Sequence, residues 1–161
     1  MRQEATTKYP DYKIDVRQND RWKPFWHDFA RNNLFGIEIN EQIARTAKTN
    51  MIIHDDGHTN VVSADGLIPP EDLRKRTDNH GFQEGTFDFI ITNPSFGSVI
   101  KQTEKAYLHN FPLAIKDVDW LNPASKAAKR PSQSSEVLFI EQAERYLCDD
   151  DTLQLLYQTA F

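Results

Sequence analysis

Apolar residues fall along this chain in short clusters of two different periods. Trp22, Phe25, Trp26 and Phe29 recur at the spacing of one helix face. Asn19 or Asp20 is the candidate cap of that helix, and Pro24 is tolerated on this reading because it falls in the first turn. Residues 1–19 are mostly polar, with Tyr9, Pro10 and Tyr12 as the hint of packing, and read as loop or frayed lead-in. Leu34 to Ile39 is an apolar run with the length of a buried strand. Asn40 then caps a second helix, in which Ile43, Ala47 and Met51 share a face beside Ala44 and Ile52, and which ends at the polar stretch His54 to His58. Asn60 to Ala64 reads as a short strand, and 67–85 as a proline- and charge-rich connection. Phe87 to Ile91 is the clearest strand, interrupted only by Asp88 and closed by Asn93-Pro94. Residues 97–134 read as a long irregular segment, Ser135 as the cap of a helix through Leu147, and Thr152 to Tyr157 as a possible last strand.

Strands alternating with helices predict an α/β fold with a mostly parallel sheet. Ligands in such sheets sit beyond the carboxyl ends of the strands. Glu38, Asp65 and Asn93 all fall at such ends.

At 161 residues the chain has the length of one domain or a piece of one, and its 39% hydrophobic content suits a globular core. No stretch approaches the ~20 apolar residues of a membrane span. The N-terminal residues lack the apolar core of a signal peptide. Cys148 is the single cysteine, which excludes an internal disulfide framework or a multi-cysteine zinc site and suits a reducing, cytoplasmic setting. The net charge of -5 gives no chain-wide attraction for nucleic acid. Its distribution is uneven. In 97–134, Lys101, Lys105, Lys116, Lys126, Lys129 and Arg130 face only Glu104, Asp117 and Asp119, a net +3 that leaves -8 elsewhere. That segment is either a phosphate-contacting loop, with Lys101, Lys105, Lys126, Lys129 and Arg130 as DNA contacts, or simply solvated. Tyr107, Phe111 and Trp120 are candidates to support it or to stack on bases.

Asn93-Pro94-Ser95-Phe96 carries the most specific chemistry. The amino group of a nucleobase is a poor nucleophile, because its lone pair is delocalised into the ring. The Asn93 side-chain carbonyl and the Pro94 backbone carbonyl can accept its hydrogens and favour a tetrahedral nitrogen. The base must leave a duplex to be reached, and Phe96 offers a face to stack on. An ordinary Asn-Pro turn is the alternative. Glu38 can accept from both hydroxyls of a ribose, or it can simply complement the start of a helix. Asp65 can accept from an adenine amino group, or Asp65-Gly66 can be a plain turn. His54, Asp55, Asp56 and His58 form a polar turn, with no partner at metal-ligand spacing.

Together these segments resemble a known family. Leu34-Phe35-Gly36-Ile37-Glu38-Ile39-Asn40, the stretch from Ala44 to Asn60, Ala64-Asp65-Gly66, and Phe87 through Asn93-Pro94-Ser95-Phe96-Gly97 are similar, in order and spacing, to the modification subunit of type I restriction-modification systems. Ser135-Glu136-Val137-Leu138-Phe139-Ile140-Glu141 extends the likeness, which covers roughly residues 33 to 147. Members are N-6 adenine-specific DNA methyltransferases that use S-adenosyl-L-methionine and work with specificity and restriction subunits. The resemblance implies a Rossmann-like methyltransferase fold. It implies that Glu38 holds the cofactor ribose, Asp65 the cofactor adenine, Asn93 and Pro94 the target amino group, and Phe96 the target ring.

Three departures shape the expectation. Ser95 replaces the family's second proline, which loosens the backbone but spares the Pro94 carbonyl. The six glycines form no G-x-G, so the glycine-rich cofactor loop and the first, central strand of the fold are expected to be missing. Asp149-Asp150-Asp151 stands where a Pro-Gly-Gly-type turn is expected. The chain is therefore read as one incomplete methyltransferase domain. Residues 1–32 are its lead-in and aromatic helix, 33–96 its cofactor and catalytic core, 97–134 a long basic loop, and 135–161 a C-terminal helix and possible strand. The alternatives are a methyltransferase acting on RNA or on protein glutamine, and a non-catalytic remnant that binds DNA or a partner subunit.

Overall fold

A computed structural model describes residues 2–53, 60–94, 98–101, 106–116 and 128–155. The chain divides into two compact units, residues 1–65 with 77–81 and residues 66–76 with 82–161.

The first unit opens with two helices, α1 (Arg2–Lys8) and α2 (Val16–Asn33). The expected lead-in is thus largely helical. Ala5 is fully buried, Tyr9 meets Phe25 edge-on at 6.4 Å, and Tyr12 stacks on the buried Trp22 at 4.3 Å. These ring contacts supply the tertiary support that so short a helix needs. The cap of α2 is Asp15, whose side chain accepts from Arg17 N, rather than Asn19 or Asp20. Pro24 consequently lies well inside the helix and leaves the Asp20 carbonyl without its intrahelical donor. Beyond α2, β1 (Gly36–Glu38) runs parallel to β2 (Val61–Ser63), with Glu38 opposite Ser63. The expected strand from Leu34 to Ile39 is shorter and only half-buried. Between β1 and β2 lies α3 (Glu41–Ile53), which buries only Ala44 of its apolar residues. Ile43 is exposed whereas Ala47 and Met51 are half-buried, so the expected apolar face is only partly covered by described residues.

Asn79 donates to the Asn60 side chain at 3.1 Å and accepts from Gly81 N at 2.9 Å, while Asn60 donates to the Arg31 carbonyl. Gly81 leaves room for the Phe35 ring, because a Cβ there would lie 2.3 Å from Phe35 Cε1 and the ring would have to shift.

The second unit begins with the connection expected to be irregular, which contains α4 (Pro70–Thr77). Pro70 is its first residue, Glu71 and Asp72 follow, and Arg74, Lys75 and Arg76 close it, an order that matches the helix dipole. Leu73 is its fully buried anchor. β3 (Phe87–Thr92) follows, then β4 (Val99–Lys101), 3-10 turns at Ala106–Asn110 and Pro112–Ala114, β5 (Ile115–Lys116), β6 (Ala128–Lys129) and β7 (Ser132–Ser134). α5 (Ser135–Tyr146) runs directly into β8 (Leu147–Leu155). The segment 97–134 is therefore structured in its described parts. Leu108, Phe111 and Ala114 from it pack with Leu67 and Leu138 into one core, with Ile100 and Phe139 against them. Each fully buried Leu or Phe there stabilises the unit by about 1.5–3 kcal/mol.

β3 and β8 are parallel, as are β1 and β2, in agreement with an α/β domain. β4 with β7 and β5 with β6 are antiparallel. Every sheet among the described residues has two strands. Between the pairs Phe87–Leu147 and Phe89–Thr152 the register shifts, so Cys148 to Asp151 oppose the single Asp88. Of the acidic run in this bulge, Asp149 is exposed. No described helix is long and apolar enough to cross a membrane.

Candidate functional site

In the first unit the parallel pairing of β1 and β2 sets Glu38 at the carboxyl end of one strand and Asp65 just beyond that of its neighbour. The Glu38 carbonyl accepts from Ala64 N at 3.0 Å, which extends the ladder to the residue before Asp65. The Glu38 carboxylate turns back on its own loop, where Oε1 accepts from Asn40 N at 2.7 Å. Asn40 in turn caps α3, its Oδ1 accepting from Gln42 N at 2.9 Å and Ile43 N at 3.3 Å. Strand end, carboxylate and helix start are thus one rigid unit. Glu38 and Asp65 are both half-buried. Two carboxylates so placed are acceptors for a polyol and for an amino-bearing ring.

In the second unit β3 ends at Thr92, which pairs with Leu155. Asn93 is the next residue and is exposed, whereas Pro94 is buried. A buried proline under an exposed amide fixes the backbone while leaving the side chain accessible. Ser95, Phe96 and Gly97 lie outside the described residues. The chain continues at Ser98, and β4 leads to Lys101, exposed and opposite Ser132 of β7. Arg130, also exposed, lies two residues before Ser132, and its N–H donates to the Ala114 carbonyl at 2.9 Å. Lys101 and Arg130 thus share one end of the β4–β7 pair. Lys129 belongs to β6, and Lys105 and Lys126 fall outside the described residues, as do Trp120 and the cluster His54, Asp55, Asp56 and His58. Among the described residues no group of three or more His, Cys, Asp or Glu could hold a metal ion.

Phe111 takes the supporting one of its two expected roles. It is fully buried, with the Arg145 guanidinium 4.6 Å from its ring centre, and cannot stack on a base. The residues that secure the region around β3 went unnoticed in the sequence. Gly85 N and Thr86 N donate to the carbonyls of Arg145 and Tyr146, at 2.9 and 3.0 Å, and so fix the approach to β3. Gln142, buried in α5, donates to the Ile68 carbonyl at 2.9 Å. Glu141 accepts from Leu113 N and Arg145, each at 3.0 Å. Amphipathic spacing alone reveals α5 but not these long-range partners. Cys148 donates to the Gly85 carbonyl at 3.2 Å, a structural contact beside the β3 entry.

The sequence pattern of the N-6 DNA methylase family matches residues 16–129, well over half of the chain. It takes in α2, which the motif resemblance left out, and ends ahead of α5. No curated protein and no solved structure matches the chain.

Proposed function

The chain belongs to the N-6 DNA methylase family, and on that premise we propose that it is part of an adenine-specific DNA methyltransferase of the type I modification-subunit kind, working with specificity and restriction subunits. The observation that carries this reading is the end of β3, where an exposed Asn93 follows a strand and precedes a buried Pro94.

The residues present fit the nucleoside half of S-adenosylmethionine. Glu38 keeps one carboxylate oxygen on Asn40 N, and the other, without a partner among the described residues, accepts from the ribose hydroxyls. Asp65, past the neighbouring strand, accepts from the adenine amino group. When bound, the cofactor supplies an electrophilic methyl group. The chain's own part is to hold the acceptor. Asn93 Oδ1 and the Pro94 carbonyl accept the two hydrogens of the target amino group and draw its nitrogen towards the tetrahedral geometry of the transition state. Phe96 stacks on the extruded ring, and Lys101 and Arg130 contact the DNA backbone. The absence of any G-x-G pattern supports a Rossmann-like domain without its glycine-rich cofactor loop, so this chain alone binds the cofactor weakly and is inactive.

Duplex affinity of Phe96→Ala tests the assignment. A base-stacking site loses about 1–3 kcal/mol of binding. Unchanged affinity overturns it in favour of a remnant that only associates with DNA or a partner, and preferential binding of RNA overturns the DNA assignment. Micromolar S-adenosylmethionine affinity by calorimetry would refute the statement that the chain alone binds the cofactor weakly.

A further inference from the structure

The strand pair β3–β8 of the second unit has two outer edges of different character. β8 carries Asp149-Asp150-Asp151 and holds the extra residues where the register shifts between Phe87 and Phe89. Charge and a bulge are common means of keeping an outer strand from pairing with another chain. β3 reads Phe87-Asp88-Phe89-Ile90-Ile91-Thr92, with no proline, lysine or extra residue, and among the described residues it pairs with β8 alone. Alternate residues of a strand so placed turn their N–H and C=O groups to the open side.

One face of β3 is open as well. Phe87, Phe89 and Ile91 alternate along the strand and so share a face. The Phe87 ring meets Tyr146 of α5 edge-on at 5.8 Å, whereas Phe89 and Ile91 are 49% and 59% exposed. Parallel strands are ordinarily covered on both faces.

The order of residues in β3 selects what can pair with it. Two copies related by a two-fold axis normal to the sheet pair antiparallel, keep like faces on one side and make every contact twice. Each residue then meets one an even number of places away. Centred on Ile90, this register sets Phe89 of one copy against Ile91 of the other, and Asp88 against Thr92. An aromatic beside a β-branched residue is a favourable cross-strand pair, the Thr92 hydroxyl can donate to the Asp88 carboxylate, and no like charges meet. Registers centred on Phe89 or Ile91 set Asp88 against Ile90 or Phe89 against Asn93 and lose this match.

We propose that the open edge of β3 is a self-association site that takes β3 of a second copy in the register centred on Ile90. A paired edge of about five residues a side is far smaller than the ~20–30 of a standard interface, so the dimer is weak and concentration-dependent. This association is independent of methyl transfer.

Sedimentation velocity of the full chain from about 5 to 500 µM reads the association. Wild type is expected to move from monomer towards dimer and to stop there, because a two-fold pairing consumes both open edges. Ile91→Lys is expected to weaken dimerisation by about tenfold or more, since it places a charge in the apolar pair. A monomer at every concentration, as a strand donated by a different polypeptide would leave it, overturns the proposal. Growth beyond the dimer, or an Ile91→Lys chain that dimerises like wild type, does the same.

Disulfide trapping reads the register. It is done with Cys148→Ser, which keeps a donor for the Gly85 carbonyl. Phe89→Cys mixed with Ile91→Cys, and Asp88→Cys mixed with Thr92→Cys, bring thiols directly opposite. The two pairs are successive, so one of them is of the closer, non-hydrogen-bonded kind. At least one mixture is expected to cross-link about ten times faster than any single variant, whose own positions lie at least ~7 Å apart across the two copies. Positions 89 and 91 are exposed, so this comparison holds even where Ile91→Lys fails to fold. Equal rates in mixtures and single variants, or no cross-link in either mixture, overturn the pairing.

Discussion

Replacing Glu141 tests the polar anchor of the second unit. Glu141 lies on α5 with its side chain 7% exposed, and it serves two partners at once. One oxygen accepts from Leu113 N at 3.0 Å and the other from Arg145 at 3.0 Å. Arg145 also donates to the Asn110 carbonyl and lies over the buried Phe111 ring. Glu141→Ala therefore leaves the Leu113 N–H without an acceptor in a part-buried place, which costs about 1–3 kcal/mol. It also strips Arg145 of its counter-charge. That residue is 20% exposed and can rehydrate, so its share is nearer the ~1 kcal/mol of a surface pair than the ~3–5 kcal/mol of a fully buried one. The expected loss is about 2–4 kcal/mol. Glu141→Gln keeps one acceptor and loses the charge, for about half of that.

Urea unfolding measures these losses, provided the m-value is unchanged. A double-mutant cycle with Arg145→Ala isolates the pair, with an expected coupling of about 0.5–2 kcal/mol. A Glu141→Ala variant within ~0.5 kcal/mol of wild type, the level of an ordinary surface change, would refute the claim that this carboxylate holds the 110–113 turn. Zero coupling with a large single-site loss would place the whole effect on Leu113.

Phe111→Ala should cost about 3–5 kcal/mol in the same assay, because its cavity opens onto Leu67, Leu108 and Leu138; a loss below about 1 kcal/mol would contradict its place in the core. Gly81→Ala should destabilise by about 1–3 kcal/mol, since its Cβ would lie 2.3 Å from Phe35 Cε1 and 2.5 Å from Phe35 Cζ and force that ring to move, and Gly81→Ala together with Phe35→Ala should be less damaging than the sum. Burial pushes the Tyr146 phenol up from 10 to about 12. Below pH 10 it is neutral in both states and its contribution is fully present; above that only the unfolded chain ionises, so stability falls through pH 12 by at most about 2–3 kcal/mol. Unfolding at about pH 9 and about pH 11 should show that fall in wild type and its absence in Tyr146→Phe.

What was legible in the sequence follows from which interactions are local. β3 and the ends at Glu38, Asp65 and Asn93 were readable because apolar runs stop abruptly there. The middle of α2 was readable from its aromatic spacing, but its start was not, because residues 16–21 are mostly polar and the cap Asp15 looks like any loop residue. α1 was hidden for a different reason: a single buried residue, Ala5, gives no periodicity, and the Tyr9–Phe25 and Tyr12–Trp22 contacts that support it are tertiary. α4 did carry a local signal, Pro70 followed by acids and closed by bases, which the expectation of a charged connection masked. Leu108, Phe111 and Ala114 enter the core from 3-10 turns and so obey neither the helical nor the strand period.

The residues of α5 separate two tasks that a hydrophobic pattern merges. Leu138 and Ala143 bury apolar surface, and that force is non-directional: it holds the helix in the core without deciding which residue of a loop stands where. Hydrogen bonds are directional and specify single atoms. Ser135 selects Ser98, Glu141 selects Leu113, Gln142 selects Ile68, and the last two helical carbonyls select Gly85 and Thr86. These partners include the chain leading into β3 and the chain entering β4. An exchange of Leu138 for another large aliphatic should therefore change stability while leaving these loop partners in place.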